Sequence, residues 1–353
     1  MFKIEKTLSF NSEKLVNGKE YDYITRTSYN QGILQTTGFI NEENINSAGN
    51  WSLGLLQMDF FYRKKQWYAG QFVRKIIPLF NVKSSIVPFF TTVLNSLKPI
   101  LLNVLVRDVN NTFLNSNILL PTKNGEIDFE FMDAYISELE EERISELAAY
   151  LKVSGLDNYE LSSDEKQALE KFEQRVDSWN LFTIQSVFDV KSSKKRFDAN
   201  KVEILHQGYP YVVRMSSDNG VKGYLKQDEE FLNQGNTIAF GQDTATMFYQ
   251  ENPYFTGDKI KILECKYNKF DKINAMFLIS AMKKSFSTFS WGANSFSEKA
   301  INTQEIQLPT KNDEIDFSYM NTLISAVQKL VIKDVVLWAD KKIYATKRVI
   351  NKN

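Results

Sequence analysis

Apolar residues recur at spacings of three and four in two long stretches of the chain, which predicts two long helices. The first stretch covers 128–152, where acidic residues fill the other faces, and the second covers 317–338. Two narrow apolar stripes in one chain most simply bury each other, so we predict a coiled-coil pair. The alternative is that each helix packs on its own domain. The stripes are Phe129, Met132, Ile136, Leu139, Leu147 and Leu151, then Phe317, Met320, Ile324, Val327, Val331, Val335 and Trp338.

The stretches before each helix have a different pattern. Short β-type runs such as 21–27 and 72–79 alternate with Gly and Asn turns, which is typical of sheet-containing domains. The predicted order is a first body over 1–117, a helical region over 118–180, a second body over 181–305 and a final helix over 306–353. This makes the fold class α+β.

The segment between the two bodies contains a break and a helical restart. Gly155 is suited to end the first helix. Ser162 followed by Glu165 predicts a capping-box start for the next one. The apolar positions of that next helix are Leu169, Phe172, Val176 and Trp179.

Each long helix is preceded by the same sequence, so the chain contains an internal repeat. Residues 118–132 read ILLPTKNGEIDFEFM and residues 306–320 read IQLPTKNDEIDFSYM, which agree at eleven of fifteen positions. The run YDYITRTSYNQG (21–32) parallels YPYVVRMSSDNG (209–220), and WYAGQFVRKI (67–76) parallels YFTGDKIKIL (254–263). The repeat therefore covers both bodies and both helices, which predicts a pseudo-two-fold architecture.

Residues 86–106 form an apolar run of about the length that crosses a membrane. Lys98 lies inside this run, and Pro88 and Pro99 interrupt it. We therefore predict a buried helix. The N-terminus has no signal peptide, and the single cysteine excludes a disulfide framework, so the cytoplasm is the expected location.

The net charge is zero, but the charge is unevenly distributed. Residues 126–173 contain fifteen acidic and four basic residues, a net charge of −11, so the rest of the chain has a net charge of +11. Because local charge decides which surface approaches phosphates, the bodies remain candidates for nucleic-acid binding.

Enzymatic motifs are not evident in the sequence. Asp258, Glu264 and Lys266 have the spacing of a nuclease array, but the repeated copy has Gln71, Ile77 and Leu79 there, which favours an ordinary strand. The single histidine, His206, excludes a multi-histidine metal site and is expected to be exposed. No glycine-rich nucleotide loop or Asn/Asp-Pro-Pro-Tyr methyltransferase motif is present.

With its two LPTKN-type helix starts and its order of body, helix, body, helix, the chain resembles the specificity subunits of restriction–modification systems. Both the type I and the BcgI-like kinds are candidates. The resemblance implies two target-recognition domains that each read one half of a split DNA site. It also implies two long antiparallel helices that act as a spacer and dock adenine methyltransferase, or fused methyltransferase–nuclease, subunits. One departure is that the first body lacks much of the lead-in seen at 179–197.

The same resemblance implies that this chain is non-catalytic and holds no cofactor. S-adenosylmethionine and magnesium are expected on the partner subunits. A helix of about 23 residues is roughly 35 Å long, close to the ~34 Å of one turn of duplex DNA. We hypothesise that such a helix sets the gap between two readers on one face of the DNA.

The candidate DNA contacts are polar residues at the ends of β-type runs and two basic runs. Arg, Asn and Gln suit both phosphates and base edges. The alternative is that they only cap turns, above all Arg26 and Arg214, which recur in both copies. Trp67 and Tyr68 are expected in the core. The candidates are Arg26, Thr27, Ser28, Asn30, Gln31, Arg63, Lys64, Lys65, Lys194, Lys195, Arg196, Arg214, Ser216, Ser217 and Asn219.

Double-stranded DNA is thus the expected partner, together with the methyltransferase subunits. The competing hypothesis is a helical protein–protein scaffold that does not read DNA. Basic bodies favour the first hypothesis.

Overall fold

The structure is a computed structural model that describes residues 1–104, 106–175, 178–287 and 297–350, with side chains to residue 344. The chain divides into two compact units, Met1–Leu147 (unit 1) and Ala148–Asn353 (unit 2).

The elements of the first part of the chain are β1 (Phe2–Lys6), β2 (Tyr21–Ile24), β3 (Ile33–Thr37), β4 (Asn50–Gly54), β5 (Asp59–Arg63), β6 (Trp67–Ala69), β7 (Val73–Pro78), α1 (Val87–Asn95), α2 (Lys98–Val104), α3 (Val109–Asn115), β8 (Thr122–Lys123), β9 (Glu126–Ile127) and α4 (Phe129–Val153). Those of the second part are α5 (Ser163–Gln174), β10 (Trp179–Thr183), α6 (Ile184–Val187), β11 (Phe188–Ser192), β12 (Tyr209–Val212), β13 (Val221–Leu225), β14 (Thr237–Gly241), β15 (Thr246–Gln250), β16 (Phe255–Thr256), β17 (Ile260–Cys265), α7 (Lys272–Phe286), α8 (Glu298–Thr303), β18 (Glu305–Lys311), β19 (Glu314–Ile315) and α9 (Phe317–Ile350).

The main sheets have the same topology in both units, as the internal repeat predicts. Unit 1 has a four-stranded sheet in the order β1-β7-β4-β5 and a three-stranded sheet in the order β3-β2-β6. Unit 2 repeats these as β11-β17-β14-β15 and β13-β12-β16. The register repeats too, since Gly54 pairs with Val73 and Gly241 pairs with Ile260. Both bodies are therefore built on one α+β scaffold.

The described residues of the apolar run 86–106 form two short helices, α1 and α2, instead of the single helix predicted, and their apolar faces lie in the core of unit 1 as predicted. Ile86, Phe90, Leu94 and Leu101 are at most 1% exposed and pack in one cluster with strands β4 and β5. Among the described residues no single helix is long and apolar enough to span a membrane. The helical segments Ser84–Asn95 and Lys98–Val104 pass that test only as a pair bent by 44°.

The predicted break and restart after α4 are confirmed. Gly155 adopts a positive φ of 69° two residues after the end of α4. Ser162 and Glu165 form both bonds of a capping box at the start of α5. The helix is shorter than expected, because Arg175 adopts a left-handed conformation and Trp179 begins β10 instead of continuing the helix. Val176 lies outside the described residues.

The apolar stripe of α4 has the predicted phase, with Met132 and Ile136 buried. For α9 the expected stripe is wrong beyond Ile324. Val327, Val331, Val335 and Trp338 are exposed, whereas the buried side chains are Leu323, Ala326, Val336 and Ala339. Large apolar residues lie on both the buried and the exposed sides of α9, and two of the buried residues are alanines, so the spacing of large apolar residues does not identify the buried side. The pairing of the two helices stays a prediction.

Candidate nucleic-acid interface

A tight turn follows the strand β2 in unit 1 and the strand β12 in unit 2. The turn residues Asn30 and Gln31 have φ values of 47° and 54°, and Asp218 and Asn219 have φ values of 51° and 53°. A glycine follows each pair, and its carbonyl accepts a backbone hydrogen bond that closes the turn at 2.8 Å. Because both copies adopt the same left-handed conformation, which non-glycine residues rarely adopt, the turn belongs to the shared scaffold.

In each unit, one buried side chain donates a hydrogen bond to a backbone carbonyl oxygen of the turn. In unit 2 the Gln250 amide donates to the carbonyl oxygen of Asn219 at 3.0 Å. In unit 1 the Arg63 guanidinium donates to the carbonyl oxygen of Gln31, and its Nε donates to Ser52 Oγ at 2.9 Å. Arg63 and Gln250 end the equivalent strands β5 and β15. The support is conserved in geometry although the residue type is not.

The structure corrects the expectation that Arg63 belongs to a surface phosphate clamp. Its side chain is only 2% exposed, and this burial lowers the pKa of the guanidinium to about 10, against the opposing charge of Asp22. The Arg63 guanidinium therefore forms buried hydrogen bonds within unit 1, and removing one partner of such a bond lowers stability.

We expect Arg63→Ala to destabilise unit 1 by roughly 3 kcal/mol, because the Gln31 carbonyl and Ser52 lose their buried partner. The matched variant is Arg63→Gln, which copies Gln250 of the other unit and is expected to cost about 1 kcal/mol or less. Calorimetry of both variants, with hydrogen exchange to assign the transition to unit 1, measures this difference. Equal losses in the two variants would contradict the role of a hydrogen-bonded support.

The other candidates in unit 1 lie around the exposed side of the turn. Arg26 is exposed, with its guanidinium 5.3 Å from the centre of the Phe72 ring. Ser28 donates to the Asp59 carboxylate, and Thr27 Oγ1 accepts from the backbone N–H of Tyr29 at 3.2 Å. The side chains of Asn30 and Gln31 are exposed. The structure thus brings these five predicted residues to one surface.

The basic run 63–65 begins with the last residue of β5, and its three residues lie in three different environments. Arg63 is buried, as described above, and Lys64 is exposed. Lys65 forms an ion pair with Asp22 at 2.9 Å and donates to the Lys19 carbonyl oxygen at 3.0 Å. Only Lys64 therefore has the placement that the phosphate-clamp expectation needs.

In unit 2 a surface groove of about 900 Å³ gathers basic side chains that are far apart in sequence. Five bases and two acids line it, so its net charge is +3. We name it the basic groove, and its charged residues are Lys195, Arg196, Lys201, Arg214, Lys222, Asp198 and Asp258. Lys201 and Lys222 were missed from the sequence, since neither belongs to a basic run. Lys194 is exposed but does not line the groove.

The side chains of the basic groove are oriented by local contacts. Arg196 pairs with Asp258 at 2.8 Å while 77% of its side chain stays exposed. The Lys195 ammonium lies 4.0 Å from the centre of the Phe231 ring. Ser216, Ser217 and Asn219 are exposed on the neighbouring turn. The groove therefore presents exposed cations beside exposed hydroxyl and amide groups, a combination suited to a phosphate backbone.

The recurring arginine has different partners in the two units. Arg214 pairs with Asp243 at 2.6 Å, and Lys259 pairs with the same carboxylate at 2.7 Å. The hydrogen bond from Lys259 is the main reason that the pKa of Asp243 is lowered. Phe72, which lies beside Arg26, stands at the repeat position of Lys259. The scaffold is thus shared, while the chemistry of the exposed surface differs.

The nuclease-like residues lie in ordinary ion pairs. Glu264 of β17 pairs with Lys191 of β11, and Lys266, which follows β17, pairs with Asp189 of β11 at 3.3 Å. Within the ranges that the structure describes, no group of three or more His, Cys, Asp or Glu side chains could hold a metal ion. Trp67 and Tyr68 are fully buried and His206 is exposed, as predicted.

Comparison with known proteins gives concordant matches. The family model described as type I restriction modification DNA specificity domain matches residues 1–149 and 176–336. The specificity subunit S.BcgI of a type II restriction enzyme from Heyndrickxia coagulans is 29% identical over 151 residues. That alignment spans 42% of this chain and 43% of the relative, less than half of its length.

A solved structure shows the same fold. The S subunit of the type I restriction–modification system of M. genitalium superposes with a TM-score of 0.53 at 13% identity. The match covers 99% of this chain and 92% of that one.

Proposed function

The chain belongs to the family of type I restriction modification DNA specificity domains, and from this premise we propose that it reads a split DNA site, one half with each unit. The observation that carries the proposal is the duplication itself. Two bodies of identical strand order present different exposed side chains around the same turn. A single reader needs no duplication, whereas a site in two parts needs two readers with one scaffold and two surfaces.

Charge supports the choice of DNA as the ligand. The basic groove has a net charge of +3, although the whole chain is neutral. Basic side chains that neutralise phosphates release counterions, and this supplies most of the non-specific affinity of such proteins. The exposed amides and hydroxyls of both turns would then contact base edges in the groove of the duplex.

The partners in this proposal are adenine methyltransferase, or fused methyltransferase–nuclease, subunits. Helix α9 supports recruitment of a helical partner, because Val327, Leu330, Val331 and Trp338 are exposed along it. Apolar faces of this kind pack in the grooves of other helices. S-adenosylmethionine and magnesium would be held by those partners, and this chain would contribute recognition without chemistry of its own.

A selection from random duplex DNA tests this function. We expect the purified chain to enrich two short motifs separated by a fixed gap, with affinity that falls steeply between about 50 mM and 200 mM salt. Arg26→Ala and Arg214→Ala form a matched pair, since they occupy the same position in the two units. Each is expected to relax one motif and leave the other intact. The competing hypothesis, a helical scaffold that does not read DNA, predicts no enriched motif at any salt concentration.

A further inference from the structure

In unit 1, leucines occupy the positions of two lysines that line the basic groove of unit 2. Leu8 stands at the position of Lys195, since the β-bridge formed by the next residue joins equivalent positions in both units. Leu34 stands at the position of Lys222, since β3 pairs with β2 in the register in which β13 pairs with β12. Both leucines are more than half exposed. The exposed surface therefore changes from charged to apolar while the backbone keeps its pairing.

A second pair of differences lies beside the recurring arginine. In unit 2, Arg214 and Lys259 both pair with Asp243, whereas the equivalent residues of Asp243 and Lys259 in unit 1 are Leu56 and Phe72. The backbone N–H of the residue before Leu56 donates to the Phe72 carbonyl oxygen at 2.9 Å, and that of the residue before Asp243 donates to the Lys259 carbonyl oxygen at 3.0 Å. Leu56 and Phe72 are each 43% exposed. Unit 1 thus has two exposed apolar side chains where unit 2 has an ion-pair network.

The adjoining turn adds a fifth apolar side chain. Tyr29 is 85% exposed on the turn of unit 1, and Ser217 takes its place in unit 2. Scattered apolar side chains are normal on a protein surface, but five of them at the positions of one polar surface indicate a binding site. We name this surface the apolar face of unit 1, and its residues are Leu8, Tyr29, Leu34, Leu56 and Phe72.

The apolar face carries less charge than the basic groove. The seven charged residues of the groove correspond in unit 1 to Leu8, Ser9, Asn11, Lys14, Arg26, Leu34 and Gln71. Only Lys14 and Arg26 in this set are charged, so two cations stand where the groove has five. Neutralisation of phosphates therefore contributes less to DNA binding here than in unit 2, and specific recognition needs another source.

The major groove of DNA offers one apolar group to such a surface, the C5 methyl group of thymine. The other groups on the base edges there are hydrogen-bond donors and acceptors, which leucine and phenylalanine side chains do not satisfy. The exposed amides of Asn30 and Gln31 lie on the same turn as Tyr29, and amides of this kind pair with the N6 and N7 atoms of adenine. An A·T base pair thus matches both the apolar and the polar groups of this surface.

Resting on the proposed function, we infer that unit 1 recognises its half of the DNA site through the C5 methyl groups of thymine, which pack against the apolar face. Unit 2 uses charged and hydrogen-bonding groups at the same positions of the same scaffold. A partner protein is a less suitable occupant, because it would also have to satisfy the exposed guanidinium of Arg26 and the amides of Asn30 and Gln31.

The test replaces thymine by deoxyuridine, which removes the C5 methyl group and keeps the Watson–Crick groups unchanged. The replacement is made in one motif of the selected DNA site at a time, and fluorescence anisotropy measures the affinity of the full chain for each duplex. In the motif read by unit 1, we expect each methyl group that is lost to weaken binding about fourfold. In the motif read by unit 2, the change should stay below about twofold.

A double variant identifies the side chains that contact the methyl groups. Leu8→Lys/Leu34→Lys gives unit 1 the two lysines that unit 2 carries at these positions, so the scaffold should be retained. In this variant the deoxyuridine effect of one motif should fall below about twofold, which assigns that motif to unit 1. The control is Leu79→Lys/Leu119→Lys, which adds the same charge at exposed side chains outside the apolar face and should keep the full effect.

An equal deoxyuridine effect in the wild type and in Leu8→Lys/Leu34→Lys would overturn the inference, and it is the result expected if the apolar face binds a protein. Motifs in which no thymine responds to the replacement would overturn it as well. In either case two enriched motifs would still support the reading of a split site. A selection that enriches no motif would contradict the proposed function itself, and this inference with it.

Discussion

Alanine at Lys195, Arg196 and Lys201 is expected to weaken binding of duplex DNA about a hundredfold near 0.15 M salt. All three side chains line the basic groove of unit 2 and are exposed. Each phosphate contact contributes about 0.9 to the slope of log affinity against log salt, which near 0.15 M salt corresponds to roughly fivefold in affinity. The slope should therefore fall by about 2.7 for the triple variant. Filter binding over a salt series measures both quantities.

Lys194→Ala is the matched control for this experiment. It removes the same charge one residue away from Lys195, but its side chain is exposed outside the groove. We expect its salt slope to change by less than half of one contact. If Lys194→Ala and the single variant Lys195→Ala lower the slope equally, the groove does not select which cations meet the phosphates. An unchanged slope in the triple variant would remove the groove from the interface altogether.

The sequence predicted the scaffold well because the scaffold is what the repeat preserves. The helix starts follow from residues matched between the two copies, and the capping box at Ser162 follows from its own local motif. The supports of the two turns were missed for the opposite reason. Arg63 and Gln250 both donate a hydrogen bond to a carbonyl oxygen of the turn. Because they are different residue types, a search for identical residues in the two copies does not find them. Arg63 looked like part of a basic run only because its neighbours are lysines.

The groove was predicted only in part, since it depends on distance in space. Lys195, Arg196 and Arg214 belong to motifs that the sequence displays, whereas Lys201 and Lys222 come from a loop and from β13 without any signature. The predicted apolar stripe of α9 was wrong for a different reason. Ala326 and Ala339 are buried in α9, and large apolar residues occur on both its buried and its exposed sides, so their spacing alone does not show which side is buried. Contacts that depend on proximity in three dimensions are therefore harder to predict from the sequence than helices and strands, which follow the spacing of apolar residues.

The hydrogen bonds of one carboxylate, Glu165, are expected to control the stability of unit 2 at acid pH. Glu165 Oε1 accepts from Ser325 Oγ at 2.6 Å, and its Oε2 accepts from Lys329 Nζ at 2.9 Å and from the Ser162 N–H at 2.8 Å. Burial alone raises the pKa of this carboxyl, but the bonds from Ser325, Lys329 and Ser162 outweigh it and lower the pKa to about 2. The Glu165 carboxylate thus caps the N-terminus of α5 and links α5 to α9 through hydrogen bonds.

We expect Glu165→Gln to destabilise unit 2 by roughly 3 kcal/mol at neutral pH, the free energy equivalent to lowering a pKa from 4.5 to about 2. The melting temperature of a unit of this size should fall by roughly 6–12 °C. Asp164→Ala is the control, because it removes an exposed acid from the same first turn and should cost less than about 1 kcal/mol.

The pH dependence gives the sharper test, because a lowered carboxyl pKa has a defined sign. The folded state prefers the ionised form, so the stabilisation is complete above the unfolded pKa of 4.5 and is lost as the pH falls toward about 2. The stability difference between the wild type and Glu165→Gln should therefore shrink between pH 4.5 and pH 2, as followed by urea unfolding at each pH. A difference that stays constant across this range would show that the Glu165 charge contributes nothing, and that only the shape of the side chain holds α5 to α9.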